Sequence, residues 1–134
     1  MSAQELRDAA ALMRARAEAA TPGPWTFEGA PNGFPPMVTS NGMVVADTYD
    51  KPALADAEHI SSWHPAVALA VAQMLEGVAD RHEWVTVQSV DYSYTACRQC
   101  HHEPSEGFED DDDPCPDVVA ALAVARAYLG EEAT

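Results

Sequence analysis

Apolar residues recur at helical spacing from the start of the chain. Leu6, Ala9, Ala10, Met13 and Ala17 share one face of residues 2 to 20, with Arg7, Arg14, Arg16 and Glu18 mostly off it. That pattern predicts an amphipathic helix. Ser2 and Glu5 have capping-box spacing at its start, and TPGPW (21–25) ends it, because neither proline can continue a helix. The pattern then changes. MVTSNGMVVAD (37–47) places β-branched residues on both sides of Asn41-Gly42, a dipeptide that tolerates the positive φ angles of a type I′ turn. Residues 25 to 49 therefore read as a small antiparallel hairpin sheet, with Trp25 to Phe27 as a candidate third strand. The intervening EGAPNGFPP is too rich in Gly and Pro for regular structure.

Helical periodicity returns at ALADAEHISSW (53–63), read as a short helix, and His64-Pro65 breaks and restarts the chain. Pro65 suits the first position of a second helix, PAVALAVAQMLEGVADRHEW, with Val67, Val71, Met74, Leu75 and Val78 as its expected apolar face. WVTVQSV (84–90) reads as a strand or as a distorted extension of that helix. Cys115-Pro116 opens the last helix, DVVAALAVARAYLG, with Val118, Leu122, Ala125 and Leu129 on one face and Gly130 as the stop. No internal repeat is present. These elements predict a single α+β domain over residues 1–134: about four helices, a small antiparallel hairpin sheet and a zinc-knuckle-like C-terminal region.

Composition adds two constraints. Of the 134 residues, 47% are hydrophobic, so the chain is expected to fold. Much of that fraction is alanine, so the core leans on a few large side chains and gains from a staple. The net charge of −15 repels nucleic-acid phosphates and anionic membranes, which excludes them as direct partners. A basic protein partner, a cation, or mimicry of nucleic acid stays open. No apolar run reaches membrane-span length. MSAQELRDAA has no basic region leading into an apolar stretch, so no signal peptide is expected and the cytosol is the expected compartment. Thiols stay reduced there, and clustered cysteines read as metal ligands before disulfides.

All three cysteines lie in CRQCHHEPSEGFEDDDDPCPD (97–117). Cys97-x-x-Cys100 is a spacing that lets two thiolates hold one tetrahedral ion, and Cys115 follows after a loop common between the halves of a zinc site. Its place at a helix start favours the thiolate, the form that binds metal. A closed site needs a fourth donor. His102 is preferred over His101, because a ligand directly beside Cys100 is harder to orient; His82 and an Asp of the acidic run are the other candidates. The expected set is thus Cys97, Cys100, Cys115 and His102, with a structural zinc preferred to iron for this mixture of Cys and His. Free core cysteines do not suit flanks of Arg, Gln, His, Glu and Asp, and no βαβ pattern supports a thioredoxin-like pair. HHE and PCPDV resemble fragments of a zinc deaminase, but Val118 stands where its last cysteine belongs and the order is reversed. Glu109 to Asp113 lacks the spaced oxygens and central glycine of a calcium loop and reads as a solvated spacer, with bait for a basic partner as the functional alternative. His59, Trp63 and His64 sit near a helix break with no acid–base partner in the pattern, and the two histidines read as surface or capping residues.

Three stretches, ATPGPW (20–25), ADAEHISSWHPAVALAVAQML (55–75) and CPDVVAALAVARAYLG (115–130), together with the upstream Cys-x-x-Cys, resemble a family of small proteins of actinobacteria and their phages. The first two also resemble phage early-region proteins of the Ead type. The resemblance implies a phage or prophage origin, a helix-rich fold and a Cys-x-x-Cys plus Cys-Pro metal arrangement; it carries no established activity. The Glu109 to Asp113 run departs from the shorter loop of such relatives. The expected function is a non-catalytic, zinc-stabilised module that binds a protein of host or phage. The alternatives are a metal-dependent, hydrolase-like enzyme and an acidic nucleic-acid mimic that inhibits a DNA-binding protein.

Overall fold

The computed structural model describes residues 2–29, 33, 35–48, 53–101 and 115–130. In chain order the elements are α1 (Ser2–Ala19), β1 (Thr26–Glu28), β2 (Met37–Ser40), β3 (Met43–Asp47), α2 (Ala53–Ser62), α3 (Pro65–Arg81), β4 (Trp84–Gln88), β5 (Ser93–Cys97) and α4 (Pro116–Leu129). Among the described residues, four helices and two small antiparallel sheets make an α+β fold. The chain divides into two compact units, Met13–Val71 and Met1–Leu12 with Ala72–Thr134.

In the unit Met13–Val71, β1, β2 and β3 form a three-stranded antiparallel sheet in that order, on which α2 packs. The β2–β3 turn is Asn41-Gly42, with φ of 50° and 77°, both positive as the type I′ geometry requires. Opposite Val38 and Thr39 the register jumps from Ala46 to Val44, so Val45 is the extra residue of a β-bulge. The TPGPW bend is tied to this sheet: the Ser40 hydroxyl donates to the Pro22 carbonyl, and Trp25 Nε1 donates back to the Thr21 carbonyl at 2.9 Å. Pro65 opens α3 at a position where its missing N–H is not needed, and the His64 carbonyl accepts instead from the Val67 and Ala68 amides.

The other unit holds the start of α1, the end of α3, the β4–β5 hairpin and α4. Its fully or nearly buried apolar residues include Leu6, Ala9, Ala10, Leu75, Val78, Ala79, Ala96, Val118, Leu122 and Ala125. Leu6, Leu75, Val78, Val118 and Leu122 are the bulky members; alanines fill the rest, and each buries little area. Both carboxylate oxygens of Glu5 accept from Arg126, at 2.7 and 3.2 Å, which fastens α1 to α4. Arg7 pairs with Asp80 at the end of α3 and with Glu83 just beyond it. Gly130 ends α4 at φ 78°, its N–H bonded to the Arg126 carbonyl.

The stripe expected on α1, Leu6, Ala9, Ala10, Met13 and Ala17, is buried throughout. The face expected on α3 is rotated. Ala68, Ala72, Leu75, Val78 and Ala79 are buried, whereas Met74 is 48% exposed and Val67 and Val71 are half-buried. Alanine counts little on a hydrophobicity pattern, yet close helix packing favours the smallest side chains. WVTVQSV is β4 and its turn, not an extension of α3, and SYTAC supplies a partner strand that the sequence pattern did not suggest. Among the described residues no helix is long and apolar enough to cross a membrane.

Candidate metal centre

Three elements converge on one point. The β4–β5 hairpin is closed at its open end by the Trp84↔Cys97 pair and one further backbone bond, from the Arg98 amide to the Glu83 carbonyl at 2.9 Å. His82 immediately precedes this end and still donates its amide to Val78, as the last turn of α3. The helix end and the strand end are therefore held side by side, and His82 faces Cys97.

After Cys97 the chain turns sharply. The His101 amide bonds the Cys97 carbonyl at 2.9 Å, and His101 adopts φ 59°, the left-handed conformation that lets a Cys-x-x-Cys loop fold back and aim both sulfurs the same way. Cys115 arrives from the other side as the residue before α4. Its backbone is extended (φ −91°, ψ 110°), its carbonyl accepts from the Val118 and Val119 amides, and its side chain makes no cap hydrogen bond. The sulfur points into the cluster instead.

The result is one ligand atom from each of His82, Cys97, Cys100 and Cys115, all within 4.8 Å of one another. The edges have a definite meaning. A tetrahedral ion with metal–sulfur bonds of about 2.3 Å and metal–nitrogen bonds of about 2.0 Å separates two sulfurs by about 3.8 Å and a sulfur from a nitrogen by about 3.5 Å. Cys97 Sγ lies 3.8 Å from Cys115 Sγ, and His82 Nδ1 lies 3.6 Å from Cys97 Sγ and 3.5 Å from Cys100 Sγ. These three edges match the tetrahedron. The Cys100–Cys115 edge, at 3.0 Å, is shorter.

The second ring nitrogen completes the logic. His82 Nε2 lies 3.3 Å from the Asp117 carboxylate in the first turn of α4. Were Nδ1 to bind an ion, the ring proton would reside on Nε2 and donate to Asp117. Such a carboxylate–histidine pair fixes both the tautomer and the ring plane of a metal ligand. The His82 side chain is 4% exposed, Cys97 and Cys115 are 1% exposed, and Cys100 is half-buried. Four such residues could hold a metal ion with no fifth protein donor.

The structure brings together the three cysteines that the spacing singled out. His102 and the acidic run Glu109 to Asp113 lie outside the described residues. His101 is exposed and belongs to the turn, and His82, the more distant candidate, stands at the fourth corner. Its role was hidden because it depends on the β4–β5 pairing, which sets residue 82 across from the end of β5. Asp117 read only as a favourable charge at a helix start; nothing in a linear pattern links it to His82. Elsewhere, His59 is exposed on α2 and His64 is half-buried with Nδ1 lacking a hydrogen-bond partner. Neither joins a cluster of metal-ligating side chains among the described residues. Comparison with protein-family models, with curated proteins and with solved structures found no match.

Proposed function

We propose that this chain is a small phage-type accessory protein, a non-catalytic module that binds a protein of host or phage and is folded around a structural zinc ion. The observation that carries the reading is the number of donors: four protein ligand atoms within 4.8 Å of one another can fill a tetrahedral shell without a substrate or a reactive water. Catalytic zinc sites keep a position open for these. Three sulfurs and one imidazole nitrogen are a donor set that suits zinc, and the cellular compartment expected for reduced thiols agrees with it. The alanine-rich core of this unit gives the ion a task, since binding free energy becomes folding free energy where the unfolded chain has no preformed site.

A net charge of −15 supports a partner with a basic surface. The resemblance of residues 20–25, 55–75 and 115–130 to actinobacterial and phage proteins supports the phage-type origin. Metal analysis of the reduced, purified protein tests the zinc: one ion per chain, whose chelation unfolds the C-terminal unit, is expected. A folded protein with no metal overturns the structural role. A hydrolytic activity that vanishes on chelation while the fold persists replaces this reading with a metal-dependent enzyme.

A further inference from the structure

The short edge of the cluster has chemical content of its own. We propose that Cys100 and Cys115 form a peroxide-sensitive pair, joined on oxidation in a disulfide whose formation releases the metal. Their sulfurs are 3.0 Å apart, whereas Cys97 lies 3.8 Å from Cys115. Access selects the thiol that is attacked first. Cys100 is half-buried in the turn that follows β5, and a small solvent-borne oxidant reaches it first. Cys97 and Cys115 are both 1% exposed, and Cys97 is further held in the hairpin ladder opposite Trp84. The 3.0 Å contact is what selects the partner of Cys100: the thiol that starts α4.

The steps balance with hydrogen peroxide as the oxidant. The Cys100 thiolate attacks one peroxide oxygen, the O–O bond breaks, and hydroxide leaves; Cys100 is then a sulfenic acid. The Cys115 thiolate attacks that sulfur, the S–O bond breaks, and a second hydroxide leaves with the disulfide formed. The two thiolates lose two electrons in total, and peroxide becomes two hydroxides, which take up two protons from solvent to give two waters. The ion, left with Cys97 and His82, loses half its donors and dissociates. The new covalent bond keeps the start of α4 tied to the turn, so the tie persists while the metal leaves. A thiol reductant reverses the change.

This goes beyond the proposed function, and its test separates the two. The reduced protein is titrated with hydrogen peroxide while free thiols are counted with a thiol-reactive dye and released metal with a chromophoric chelator. The product is alkylated and cut with trypsin, which cleaves after Arg81, Arg98 and Arg126 and so separates Cys97 from the other two cysteines. The expected result is loss of two thiols per chain, an unalkylated 99–126 peptide lighter by two hydrogens, an alkylated 82–98 peptide, and recovery with dithiothreitol. Cys97→Ser should still give the light 99–126 peptide, and Cys115→Ser should not. A cross-link between peptides 82–98 and 99–126, sulfinic acid without a disulfide, or thiols that survive peroxide would each overturn the proposal. The metal-release step rests on the structural-zinc reading and falls with it if the purified protein carries no zinc, whereas the peptide readout still decides the pairing.

Discussion

Asp117→Asn isolates the role of the carboxylate behind His82. The substitution keeps the size of the side chain and removes its charge, so the ring loses an anionic acceptor for its Nε2 proton. Carboxylates in that position are typically worth 10–100-fold in metal affinity. Two features of this pair place the effect at the low end. The contact is 3.3 Å, long for a charge-assisted bond, and the Asp117 side chain is 61% exposed, so solvent already screens it. The expected loss is about tenfold in zinc affinity, or ~1.4 kcal/mol. Asp117 also lies in the first turn of α4, where losing a negative charge costs the helix about 0.3–1 kcal/mol whether or not metal is bound. A melting temperature alone would mix the two effects. Equilibrium competition against a chromophoric zinc chelator reads the affinity, and thermal melting of the metal-free protein reads the helix contribution. A zinc affinity unchanged within twofold, with metal bound at full stoichiometry, would refute the assignment of Asp117 as the partner of a ligating His82.

Two further substitutions test the frame around the site. Gly42→Val should destabilise the β2–β3 hairpin by about 1 kcal/mol or more, because a β-branched residue resists the φ of 77° found there; a Cβ at Gly42 meets nothing within 4 Å, so the whole penalty is conformational, and an unchanged denaturation midpoint would count against the turn. Glu5→Gln should cost about 1 kcal/mol, seen as a melting temperature lower by about 3 to 5 °C, since it takes the charge from a bidentate pair whose two side chains are each only 22% exposed. Raising the salt concentration should shrink that difference only partly, and its complete disappearance would mark the pair as a surface contact.

The helices and the Asn41-Gly42 hairpin were legible in the sequence because local chemistry decides them. A proline at a helix start, a glycine at a stop and an apolar period act within a few residues. The three cysteines were legible for a similar reason: their spacing and polar flanks exclude ordinary core packing. What could not be read is what depends on pairing across the chain. Nothing in SYTAC alone marks it as a strand, and its register with WVTVQ makes it β5. That register in turn sets His82 beside Cys97, and the arrival of α4 sets Asp117 beside His82. The rotated face of α3 has another cause. Periodicity weights Met74 heavily and Ala72 lightly, whereas packing buries the alanine and leaves the methionine half in water.

The central claim is a closed zinc site of three cysteines and His82, and X-ray absorption at the zinc edge of the purified protein tests it most directly. The account predicts one zinc with three sulfurs at about 2.3 Å and one nitrogen at about 2.0 Å, with the outer-shell scattering of an imidazole ring that disappears in His82→Ala. A first shell containing a water oxygen in place of that imidazole, or an imidazole signal that survives His82→Ala, would contradict it.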